Sequence, residues 1–81
     1  MQVTEVNEAI KVGAVFEGRR VVPKWFFWGG RKHPVQKVEH TWHSKEGEAL
    51  LLFFSVTDGA NVYEIRLNQK TLEWFLLCVI L

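Results

Sequence analysis

The chain has one cysteine, two prolines and no apolar run longer than the eight residues Trp74–Leu81. Each shortage excludes something. Cys78 alone cannot close an internal disulfide, so a reduced, cytoplasmic location is the expectation. Eight apolar residues fall well short of the ~20 that a membrane helix needs. No basic start followed by an apolar stretch marks a secretory signal. A glycine-rich phosphate loop is also missing. Asp58, Glu64 and Glu73 are scattered without a spacing that would pair carboxylates, and Cys78 lies in an apolar stretch, where burial raises a thiol's pKa. No catalysis is therefore expected.

The histidines invite a metal. His40 and His43 are three apart, which in a regular strand sends them to opposite faces. A bulge would bring them together, with His33 or Cys78 joining, but no second ligand pair at zinc spacing exists. Neither a metal nor a cofactor is expected, and the histidines read as solvated groups flanking a basic surface.

What the chain does have is apolar residues, 48% of its 81, including four Trp and six Phe. A chain this short buries only about 60–65% of the surface that its unfolded form exposes. So much apolar content asks for very good packing or for a partner interface, and a homodimer hides it most simply.

The net charge of +1 conceals a strong asymmetry. From Gly18 to Lys45, seven basic residues face the single acid Glu39, a net +6, and all three histidines lie there too. The remainder sets eight acids against Lys11, Arg66 and Lys70, a net −5.

The hydrophobic period is two almost throughout. Ile10, Val12, Ala14 and Phe16 define one face of a strand. A second strand, 20–28, ends in Trp25-Phe26-Phe27-Trp28. Pro23 removes a ladder donor from it, so the strand is an edge or bulged there. Gly29-Gly30 is a two-residue hairpin signal.

The stretch Arg31–His43 reads as a third strand with an odd step, Val35 to Val38, that a bulge near Gln36-Lys37 would repair. Strands over 48–57, 61–67 and 72–80 follow. The first and last of these are apolar on both faces and read as the covered centre. Turns at Ser44–Gly47, Asp58-Gly59 and Asn68–Thr71 separate them. Bends are expected near Pro23, Pro34 and Gln36.

The expectation is all-β: about six antiparallel strands in a meander, curled into a small barrel or a strongly bent sheet to hide its edges. Residues 10–81 form a single small domain. Residues 1–9 are expected to be a tail or a short helical turn.

Several of these pieces occur together in a known pattern: Phe16, Pro23, then Trp28-Gly29-Gly30-Arg31, a Val35-x-x-Val38 step before Trp42, Phe54-x-Val56, Val62-Tyr63-Glu64-Ile65 and Trp74. Over residues 10–77 the chain thereby resembles a family of small bacterial proteins of unknown function. The resemblance implies the same all-β fold. Related domains are in some cases encoded beside DNA-polymerase-type repair proteins. One departure is His33, where relatives tend to carry an aromatic.

Two functions suit this pattern. The first is a non-catalytic protein-interaction or accessory domain that self-associates through surplus apolar surface. The second is a small β-barrel binding single-stranded nucleic acid through hairpin 19–43. There, outward aromatics would stack bases and basic side chains would follow phosphates. The candidate surface is Arg19, Lys24, Trp28, Arg31, Lys32, Lys37 and Trp42. Arg31, next to the glycine pair, reads first as a guanidinium laid on the Trp28 indole.

Overall fold

The computed structural model describes residues 2–81 as seven strands and no helix: β1 (Val3–Glu17), β2 (Arg20–Trp28), β3 (Arg31–Pro34), β4 (Lys37–Glu46), β5 (Ala49–Thr57), β6 (Val62–Asn68) and β7 (Trp74–Ile80). All pairs are antiparallel within one sheet of order β3-β2-β1-β7-β6-β5-β4. No helix among the described residues is long and apolar enough to cross a membrane.

The turns follow from glycine. Gly29 and Gly30 both have positive φ, 62° and 74°, as a two-residue turn joining twisted strands requires. Gly18-Arg19 and Gly47-Glu48 make the other two-residue turns, with positive φ at the glycine.

The sheet does not close into a barrel: the first and last strands pair, but the consecutive strands β3 and β4 stay apart. Val3–Ile10 of β1 pairs with β7, and Lys11–Glu17 pairs with β2. β1 thus hands over from one half of the sheet to the other. A register shift lies between Glu5 and Glu8, where Asn7 has φ 52°. The opening lies between β3 and β4, which form the two edges of the sheet. The link Val35-Gln36 between them bonds to their neighbours: Val35 N donates to Lys24 O on β2 (2.9 Å) and Gln36 N to Thr57 O on β5 (2.8 Å).

Several expectations change accordingly. There are seven strands rather than about six. Val3–Ala9 belongs to β1 and is neither a tail nor a helical turn. Arg31–His43 is not one strand: Pro34 ends β3, and the chain crosses to the opposite edge of the sheet before β4 begins. The bulge lies at Glu39, between Val38 and His40, two residues past the expected Gln36-Lys37. The expected irregularity at Pro23 is present, since Gly13 faces Trp25 while Ala14 already faces Pro23, leaving Lys24 as the extra residue. β7 is central, but β5 is next to the edge.

The core lies between the halves of the bent sheet. Phe26, Phe54, Val56, Tyr63, Ile65, Leu67, Leu76 and Val79 form it. Phe26 of β2 meets Tyr63 of β6 edge to face, with ring centroids 4.9 Å apart, and this contact folds the β2–β3 half over the β5–β7 half. His33 lies parallel to Phe26 at 4.9 Å, and its Nε2 donates to Trp28 O at 3.1 Å. At only 7% exposed, it fills the place of an aromatic and is not a solvated histidine.

Candidate functional site

Pairing geometry decides where backbone groups remain free. In an antiparallel pair, residues alternate between exchanging hydrogen bonds with the neighbour and pointing them away. The two-residue turn Gly47-Glu48 is flanked by the pair Glu46 and Ala49. That pair is hydrogen-bonded, so Ser44 and Trp42 also bond to β5, while Lys45, His43 and Thr41 turn their N–H and C=O away from it. The same parity on β5 agrees, since Leu50 O accepts from Gln69 N beyond β6, and Thr57 O accepts from Gln36 N on the β4 side.

β2 behaves likewise. Its first residues pair with β1, but β3 covers only Trp25–Trp28. The flanking pair Glu17 and Arg20 bonds across Gly18-Arg19, so Val21 turns its N–H and C=O outward. Pro23 has no N–H to offer there.

These two uncovered edges border a cleft of about 320 Å³. Arg19, Arg20, Val21 and Val22 line one side, and Val38, Thr41, Trp42 and His43 the other. Leu52, Phe53 and Phe54 of β5 complete it. Thr41 and His43 sit opposite Phe54 and Leu52 and share the core-facing side of the sheet, whereas Trp42 shares the outer side with Phe53. Their rings stack at 5.3 Å with planes 4° apart. Trp42 nevertheless stays 41% exposed, because β4 has no strand beyond it.

The seven candidate surface residues are divided among several places. Arg19 and Trp42 line the cleft. Trp28 and Arg31 line a separate shallow hollow with Gly29, His33, Asn61 and Tyr63. Trp28 itself points inward, packed against the core, so it is not an outward stacking platform. Lys32 sits over the outer Trp25 ring at 4.7 Å. The cation on an indole in this hairpin is therefore Lys32 on Trp25, in place of Arg31 on Trp28. Lys24 is exposed at the bulge, and Lys37 opens β4 opposite Thr57. Arg20, Val21, Thr41 and His43 were not anticipated, because only the missing neighbour of β4 makes them a site.

His40 faces Ser55 on the outer side and His43 faces Leu52 on the inner side, so the pair diverges. No group of three or more His, Cys, Asp or Glu among the described residues is placed to hold a metal. Burial, followed by the nearby Glu64 carboxylate, pushes the Cys78 thiol up to about 11, and its S–H points at Glu64 Oε1, 3.5 Å away.

Compared with protein-family models, with curated proteins and with solved structures, the chain matches none.

Proposed function

We propose that this chain is a non-catalytic protein-interaction domain that receives an extended polypeptide strand along the open edge of β4. The observation that carries this reading is a cleft bordered by two strand edges whose outward N–H and C=O groups, at Val21, Thr41 and His43, have no partner strand. An unpaired edge is a template for strand addition. Pairing of two copies through β4 is one form of it, and it would cover the exposed Trp42.

The other strand edges are poorer templates. Pro34 removes a donor from the outer side of β3, and Pro23 does so on β2. A second reading, single-stranded nucleic acid in the same cleft, is favoured by Arg19 and Arg20 beside the exposed Trp42.

Probing arrayed extended peptides with the labelled chain tests the first reading. Binders are expected, and Thr41→Pro, which removes one outward N–H, is expected to lose them while staying folded. Binding indifferent to Thr41→Pro would overturn it. So would an absence of binders together with a monomer in sedimentation at high concentration.

A further inference from the structure

The chemistry of the cleft also says what kind of strand suits it, taking strand docking on β4 as given. Arg19, Arg20 and His43 line it, with no carboxylate. Among the described residues the one ion pair joins Lys70 to Glu48, so neither arginine has an acidic partner. The inner lining combines the aliphatic Val21, Val38 and Leu52 with Thr41, His43 and Phe54. Arg20 lies instead on the outer side of the sheet, by its pairing with Glu17, and Trp42 shares that side.

A strand added to β4 alternates its side chains between these two sides. We infer that the cleft receives an acidic, extended segment of another protein, with apolar residues facing Val38 and Leu52 and carboxylates facing Arg19 and Arg20. A second copy of β4 fits less well, because its two lysines, Lys37 and Lys45, offset its two carboxylates, Glu39 and Glu46, and leave no surplus of acid for two arginines. Nucleic acid also fits less well, because the cleft offers a single ring with a free face, Trp42, where successive bases need a row of them. Phe54 is 3% exposed and leans on Trp74, and Trp42 has one face on Phe53.

The test is amide exchange on the isotopically labelled full chain with three probes. These are a seven-residue capped peptide alternating valine with glutamate, its lysine counterpart, and oligothymidylate. The acidic peptide is expected to slow exchange at Thr41 and His43. Arg20→Glu should weaken it about tenfold and shift preference to the lysine peptide. Equal binding of both peptides would overturn the acidic partner and leave strand docking intact. Protection of these amides by oligothymidylate alone, or by raising the concentration of the chain alone, would overturn the inference in favour of nucleic acid or a second copy. No protection by any probe would overturn the docking reading itself.

Discussion

At the scale of single residues, Gly13 shows how closely the outer face is fitted. A Cβ on Gly13 would collide with Cε2 and Nε1 of Trp25, so the indole lies over the glycine, with Lys32 above it. Gly13→Ala must displace the ring and is expected to destabilise by about 1–3 kcal/mol, read from urea unfolding. In a Trp25→Ala background the same change should cost little. Equal costs in both backgrounds would show that the indole does not cover the glycine.

Cys78 gives a pH-dependent case. The folded thiol releases its proton near 11, against an ordinary 9.0. The folded state therefore holds this proton more tightly than the unfolded chain does. The associated stability is present below pH 9 and is lost as pH rises toward 11. Alkylation of Cys78 should stay slow at pH 8, and Glu64→Gln should lower the thiol pKa, measured as the midpoint of the rate–pH curve. An unchanged midpoint would remove Glu64 from the cause.

Asp58 is lowered instead. Burial works against this, but backbone N–H donors from Asn61 and Ala60 and the Tyr63 hydroxyl outweigh it. Its contribution to stability is accordingly present above pH 3.8 and is lost on acidification.

At the scale of elements, the alternation along β4 has a direct consequence for proline. Thr41 points its N–H away from β5, and Trp42 points its own into the ladder. Thr41→Pro should leave the thermal midpoint within a few degrees, whereas Trp42→Pro should cost about 3 kcal/mol or more. Equal losses would mean that the alternation is wrong.

Element boundaries were legible where turn chemistry is explicit. Gly29-Gly30 and Asp58-Gly59 lie where glycine and Asx chemistry put them. Val3–Ala9 was not legible, because the irregularity at Val6-Asn7 breaks the alternation that identifies a strand. The division of Arg31–His43 was hidden for a similar reason. A bulge and a crossing to the far edge disturb the hydrophobic period alike, and only pairing partners tell them apart.

At the scale of the whole molecule, the all-β class was legible from the period of two, but the opening was not. It exists because β3 and β4, consecutive in the chain, do not pair, while β1 and β7 at its two ends do, a contact that no local pattern announces. The site shares this property. Arg19 and Trp42 could be picked out as a basic group and an aromatic, but their shared cleft depends on the missing neighbour of β4. The +6 segment likewise does not become one basic face. Its members divide among the cleft, the Trp28–Arg31 hollow and the outer side of β2 and β3.

The most direct test of the open edge is hydrogen exchange of individual β4 amides in the free chain at low concentration. Thr41, His43 and Lys45 are expected to exchange fast, and His40, Trp42 and Ser44 slowly. Slow exchange at all six would mean that β4 already has a neighbour, which would contradict the open cleft.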